Sequence, residues 1–302
     1  MIRTRKALLV AIVALTFLAT GCSPASPSAS SPTTPSALPA GLYVQHGTKL
    51  VEWNPLTKKY GAALPHVSTT NLWSIAANNR TVFWTQLVGG THTDLYSMPR
   101  TGGAVTLLAK DVEPSGLLVA TKDRLYWAGS AIWTMPVDGS TRPQILLDTH
   151  PRDGSAADGL AVDDKYLYFS QCDSDRIGRI PQYGRPLPKR PQWLAHPSPC
   201  SREIAVAHGS VYYDTDYSDS IGRVTLNPVP VFAPWAKECA TCVLAYPGTG
   251  SRLTAYGDAL YWINQTNETG PEHVARVLLD KSALNSAYAP VGGSWIFAAP
   301  AS

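Results

Sequence analysis

Three histidines precede apolar segments by a similar distance: His66 before Ile75, His150 before Leu160 and His196 before Ile204. Two acids, Asp158 and Glu203, stand immediately before two of those segments. Imidazole and carboxylate are ordinary ligands for a divalent metal, so Asp158, Glu203, His66, His150 and His196 form one candidate metal set. Two of these connectors carry Trp73 and Arg202, and Arg252 and Trp295 hold the corresponding places before two further apolar segments. With Asp158 and Glu203 these make a mixed group of acids, arginines and aromatic rings, suited to holding a peptide, a sugar or an acidic small molecule. The competing reading is a solvated rim whose charges pair with one another.

The cysteines offer different chemistry. Four follow the N-terminal region: Cys172, Cys200, Cys239 and Cys242. An even set points to disulfides if the chain is exported, with three connectivities open. The Cys239-Ala-Thr-Cys242 spacing also suits half a zinc site or a redox pair, but no second CxxC, no HxxxH and no βαβ pattern accompanies it. A structural disulfide is the favoured reading. No G-x-S-x-G elbow, P-loop or dinucleotide fingerprint is present in the sequence.

These residues need elements to position them, and one pattern repeats along the body. An apolar residue precedes an aromatic pair by eight positions: Ile75 and Phe83-Trp84, Leu118 and Tyr126-Trp127, Leu160 and Tyr168-Phe169, Ile204 and Tyr212-Tyr213, Leu253 and Tyr261-Trp262. Steps between copies are 43, 42, 44 and 49 residues. A third short strand follows each pair, as in Ile177-Gly-Arg-Ile-Pro181, and then a turn and a fourth apolar strand, as in Gln192 to Ala195. Four strands in such a period make one propeller blade, and helical periodicity is almost absent.

The ends complete the count. Leu42-Tyr-Val44 and Leu50-Val-Glu-Trp53 read as a second and third strand without a first, while Trp295-Ile-Phe-Ala-Ala299 matches Trp73-Ser-Ile-Ala-Ala77. The reading is an all-β, six-bladed propeller over residues 41–302, closed when the C-terminal strand joins the N-terminal blade. Residues ahead of each first strand then face the channel mouth: Trp73, Ser115, Asp158, Arg202 with Glu203, Arg252, and Ser294 with Trp295.

The aromatic pairs, with Ile-x-Arg at Ile177-Arg179 and Ile221-Arg223 and Val-x-Arg at Val274-Arg276, resemble the YWTD and NHL types of six-bladed propeller. Tyr126-Trp-Ala-Gly129 and Phe83-Trp-Thr-Gln86 come nearest to YWTD, and no copy reads it in full. The resemblance supports the architecture more than any function, because the fold hosts receptors, scaffolds, lyases and lactonases. It implies that the acids of Asp173-Ser-Asp175 and Asp214 to Asp219 support contacts between blades, with Arg179 and Arg223 as partners. Lactonase-like propellers bind a metal at the mouth, which gives the candidate metal set its family precedent.

The N-terminal region reads separately. Arg3, Arg5 and Lys6, an apolar run from Ala7 to Leu18, and Ala19-Thr-Gly-Cys22 form a secretory signal over 1–21. Twelve apolar residues rise only about 18 Å as a helix, short of the roughly 30 Å hydrocarbon core. The Leu18-Ala-Thr-Gly-Cys22 ending resembles the lipobox of bacterial lipoproteins, which implies a diacylglycerol-type lipid on Cys22 and a membrane anchor on the extracytoplasmic side. Residues 22–40, nearly all Ser, Pro, Ala and Thr after the cysteine, read as a flexible tether. The signal holds three of the 25 basic residues and none of the 22 acidic ones, so the net charge of +3 belongs to it. A neutral body carries no electrostatic footprint for nucleic acid.

One segment breaks the regularity. The repeat of 49 residues holds an insertion from Asn227 to Cys242 with Pro228, Pro230, Pro234 and Trp235, read as a stapled loop or a protrusion for a partner. Together these features lead to the expectation of a binding or scaffold lipoprotein that recognises an envelope protein, peptide or glycan, without a cofactor. The alternative is a metal-dependent hydrolase or lyase of the lactonase-like type.

Overall fold

The computed structural model describes residues 41–90, 92–113, 117–149, 156–185, 190–196, 200–215, 220–227, 244–245, 249–265, 272–280, 285–290 and 295–299. The signal, Cys22, the tether, Ser115, His150, Asp216 to Asp219, Trp235, Cys239, Cys242 and Ser294 lie outside the described residues.

The described chain is all β, in six four-stranded antiparallel sheets. Blade 1 holds β1 (Gly41–His46), β2 (Lys49–Asn54) and β3 (Lys59–Ser68). Blade 2 is β4 (Leu72–Ala77), β5 (Thr81–Val88), β6 (His92–Pro99) and β7 (Thr106–Val112). Blade 3 is β8 (Leu118–Ala120), β9 (Arg124–Trp127), β10 (Ala131–Pro136) and β11 (Gln144–Asp148). Blade 4 is β12 (Leu160–Val162), β13 (Tyr166–Gln171), β14 (Arg176–Pro181) and β15 (Gln192–Ala195). Blade 5 is β16 (Ile204–Ala207), β17 (Ser210–Thr215), β18 (Ser220–Thr225) and β19 (Leu244–Ala245). Blade 6 is β20 (Thr249–Tyr256), β21 (Ala259–Gln265), β22 (Glu272–Leu278) and β23 (Asn285–Pro290). The last strand, β24 (Ile296–Ala299), pairs antiparallel with β1 and is the innermost strand of blade 1. The expected closure is therefore present. Each of β4, β8, β12, β16, β20 and β24 touches the next around the ring, and β24 touches β4.

The aromatic pairs follow from this geometry. Successive side chains of a strand point to opposite faces, so a strand in the middle of a stack of blades must be apolar on both. Phe83 packs with Leu118, Leu125 and Trp127 of blade 3, while Trp84 packs with Tyr43, Trp295 and Phe297 of blade 1. Tyr126 and Trp127, Tyr168 and Phe169, Tyr212 and Tyr213, and Tyr261 and Trp262 divide in the same way between the clusters on either side. The core is thus six separate wedges, one in each gap between blades. The outer strands carry less of this burden; β7 and β11 are largely exposed along their length.

Candidate functional site at the channel mouth

Register defines six equivalent positions at the mouth end of the inner strands. Ile75 pairs with Trp84, Leu118 with Trp127, Leu160 with Phe169, Ile204 with Tyr213 and Ile296 with Val44, and Leu253 holds the same place in blade 6. The residues one step before the inner-strand leaders are Ser74, Leu117, Gly159, Glu203, Arg252 and Trp295. Large polar or aromatic groups therefore come from three consecutive blades: Glu203 from blade 5, Arg252 from blade 6 and Trp295 from blade 1.

A β-bulge aims Arg252. Ser251 faces Ile263 and Thr254 faces Tyr261, which leaves Arg252 and Leu253 opposite Trp262 alone. Arg252 takes φ +58°, an uncommon conformation for a residue with a Cβ. Its guanidinium lies 3.9 Å from the centre of the Trp295 ring, a cation–π contact. Burial pushes the guanidinium below its ordinary range, and the charge of Glu203 works against that shift.

Glu203 sits at the junction of two spaces. It lines the central channel, about 240 Å³ and otherwise walled largely by residues such as Ile75, Val119, Val206 and Ala255. It also lines an adjoining depression of about 400 Å³ with Glu113, Leu117, Asp158, Arg202 and Arg252. Burial raises the Glu203 carboxyl above the usual carboxylate range; the charge of Arg252 and the backbone N–H groups of Arg252 and Leu253, which donate to the carboxylate, oppose that rise. Its Oε2 is buried without a hydrogen-bond partner, although the residue as a whole keeps some exposure.

The connector leading to Glu203 is pinned along its length. Cys200 is joined to Cys172 by a disulfide, one of the bridges the cysteine count allowed. The Cys200 N–H donates to Asp175 Oδ1 at 2.8 Å, and the Arg202 and Glu203 N–H groups donate to Asp214 Oδ1 at 3.0 and 2.7 Å. Asp175 thus ties blade 4 to the connector that enters blade 5, and Asp214 ties that connector to β17 of its own blade, both through backbone amides. Arg179 instead donates from Nε to Gln192 Oε1 at 2.9 Å and lies 4.0 Å over the Tyr166 ring. The expected pairing of Arg179 with the acid cluster is corrected: Arg179 lies mid-strand opposite Tyr168, whereas Asp173 and Asp175 lie beyond the strand end, where connector amides need acceptors.

The other expected mouth residues divide. Asp158 lines the depression and its Oδ2 accepts the Cys172 N–H at 2.8 Å. Arg202 lines it while exposed to solvent. Trp73 is the bulged residue of β4, between the Leu72–Gln86 and Ser74–Thr85 pairs, and is 42% exposed, outside the lining of channel and depression. Of the five expected metal ligands, Asp158 and Glu203 share the depression, His66 lies in the outermost strand of blade 1, and His196 follows the outermost strand of blade 4. Three strand spacings separate innermost from outermost strand, about 14 Å, farther than ligands of one ion can reach. Among the described residues, a different group, His92, Asp94 and Asp111 in blade 2, has ligand atoms all within 4.8 Å of one another. Sequence spacing did not mark Glu113, which accepts from the Ser130 N–H at 3.2 Å and Trp133 Nε1 at 2.9 Å.

No protein-family model matches this sequence, and no curated protein matches it. Solved structures are similar in fold. A chain of the nidogen/laminin complex superposes with TM-score 0.65 at 15% identity, covering 85% of this chain and 97% of that one. A protein assigned as a 6-phosphogluconolactonase from Bacteroides uniformis gives 0.53 at 13%, covering 82% and 81%. Streptogramin B lyase gives 0.53 at 15%, covering 73% and 70%. At these identities the likeness establishes a β-propeller of the kind the repeat predicted, and the fold alone.

Proposed function

We propose that this chain is a lipid-anchored, extracytoplasmic propeller that binds an envelope protein, peptide or glycan through its channel mouth. The observation that carries the reading is the convergence of Glu203, Arg252 and Trp295 from three adjacent blades onto one rigid, partly apolar opening. Inner strands of a closed ring hold such groups in place, and a pre-ordered mouth loses little entropy when it is occupied. One fold neighbour is a chain of a complex between two proteins, while two others carry enzyme names, so fold does not choose between the readings. The separation of His66 and His196 from Asp158 and Glu203 weighs against the hydrolase or lyase alternative.

Three measurements test the proposal. Metabolic labelling of the full chain with an alkyne fatty acid should tag it, and Cys22→Ala should abolish the tag; an untagged chain overturns the anchor. A photo-reactive residue in place of Trp73, at the rim, should trap a partner on intact cells, and Arg252→Ala with Trp295→Ala should remove that adduct. An adduct indifferent to both changes would move the binding surface away from the mouth. Stoichiometric divalent metal, lost on Asp158→Ala with Glu203→Ala and accompanied by ester or lactone cleavage, would install the enzyme reading in its place.

A further inference from the structure

Glu203 replaces a simpler device used elsewhere in the ring. In blade 2 the equivalent residue is Ser74, whose Oγ accepts the Leu118 N–H of the next blade at 2.7 Å. In blade 5 the Glu203 carboxylate accepts the N–H groups of Arg252 and Leu253, the latter equivalent to Leu118. The link between blades needs one acceptor oxygen, which a serine supplies. A glutamate brings a second oxygen and a charge, and here that oxygen, Oε2, is buried without a donor. A carboxylate offers about four acceptor positions, and an orphaned buried oxygen carries a desolvation cost that no hydrogen bond offsets. The cost falls where channel and depression meet, beside Leu117 and Arg252, which line both.

The surroundings select the donor. The depression is lined by three acids, Glu113, Asp158 and Glu203, and two arginines, so it carries a net negative charge. One arginine, Arg202, is exposed; the other, Arg252, rests on Trp295, and no ion pair within 4 Å joins it to Glu203 among the described residues. Leu117 and Ala157 give the same depression an apolar wall. A compact cation with several N–H donors on an aliphatic stem complements all three features.

We infer that the mouth receives a primary ammonium group on an aliphatic stem, a lysine-type side chain of the bound partner, with its N–H directed to Glu203 Oε2 and its methylenes against Leu117 and Ala157. This rests on the binding reading above and names the chemistry of the bound group.

The test is titration calorimetry on the full chain in detergent, with α-N-acetyl-lysine methylamide as probe and its norleucine, ε-acetyl-lysine and glutamate counterparts as comparisons. The lysine probe should bind at least tenfold more tightly than the others, and the near-isosteric Glu203→Gln should erase that preference while its melting stays cooperative. Equal binding of lysine and norleucine, no binding of lysine, or a preference untouched by Glu203→Gln would overturn the inference. Should Glu203→Gln fail to fold, Leu117→Asn serves instead, with a weaker lysine affinity expected and an unchanged one contrary to the inference. A partner still trapped at the rim in an Arg252- and Trp295-dependent way, without any lysine preference, overturns this inference and leaves the binding reading intact.

Discussion

Gly178 lies directly opposite Phe169 in blade 4, and a Cβ at that position would come within 2.8 Å of the Phe169 ring and 2.9 Å of Trp193. Phe169 and Trp193 meet edge to face at 5.6 Å over the gap. Gly222 stands opposite Tyr213 in blade 5 in the same way. The glycine of Ile-Gly-Arg therefore makes room for the second aromatic of the pair. Where the opposite residue has a side chain, as with Tyr96 beside Trp84, the two rings stack at 5.7 Å instead.

Gly178→Ala should accordingly destabilise the protein by roughly 1–3 kcal/mol, the usual range for overpacking a full core. Chemical denaturation measures this directly. Phe169→Leu in the same chain should recover part of the loss, since it removes the ring that the new methyl meets. An alanine variant as stable as the parent would mean that the aromatic pair shifts without penalty.

Closure by β24 makes the C-terminus essential. Trp295, Phe297 and Ala299 belong to the wedge between blades 1 and 2, and Ile296 to the wedge between blades 6 and 1. Removing residues 295–302 should expose the inner edge of β1, empty parts of two wedges and abolish cooperative melting. Scattering should then report an expanded chain. A truncated protein that melts like the parent would show that the ring holds without its clasp.

The Cys172–Cys200 disulfide closes a separation of 28 residues. On a chain-entropy basis its removal costs roughly 3–4 kcal/mol. Denaturation of Cys172→Ser with Cys200→Ser should show a loss of that size, and adding reductant to this variant should change little further. Cys239→Ser with Cys242→Ser supplies the comparison, because it keeps this bridge while removing the other pair. Equal stability with and without the Cys172–Cys200 bridge would mean that Asp175 and Asp214 hold the connector unaided.

Much of the architecture was readable because burial on both faces of a blade imposes an aromatic pair at fixed register, and Phe83-Trp84 and its counterparts carry that mark. Residues at the mouth were harder to place. Glu203, Arg252 and Trp295 occupy the positions that counting back from the inner strands indicates, but in blade 4 the corresponding residue is Gly159, beside the more conspicuous Asp158. In blade 2 the β4 bulge turns Trp73 outward and leaves Ser74 at the mouth. Glu113 has no periodic signal, because it belongs to a connector and reaches the depression through side-chain contacts. The histidines share spacing with the acids, yet an outer strand and an inner strand of a blade diverge from the axis, and linear spacing does not encode radius.

Glu203 also sets a pH dependence. Its carboxyl is raised in the folded protein, first by desolvation, relative to an ordinary value in the unfolded chain. Between those two values the folded state keeps a proton that the unfolded state has released, so stability falls as pH rises through that window and levels off above the folded value. Glu203→Gln does not titrate and loses that slope. Replacing the acid also removes the counter-charge of Arg252, but the guanidinium stays protonated throughout, so this contributes a constant offset. The stability of the variant minus that of the parent, measured by denaturation between pH 4 and about 8, should therefore increase with pH. A difference that decreases would mean that Arg252 and the two amides outweigh desolvation and bring the carboxyl below its ordinary value, and a flat difference would place its folded and unfolded values together.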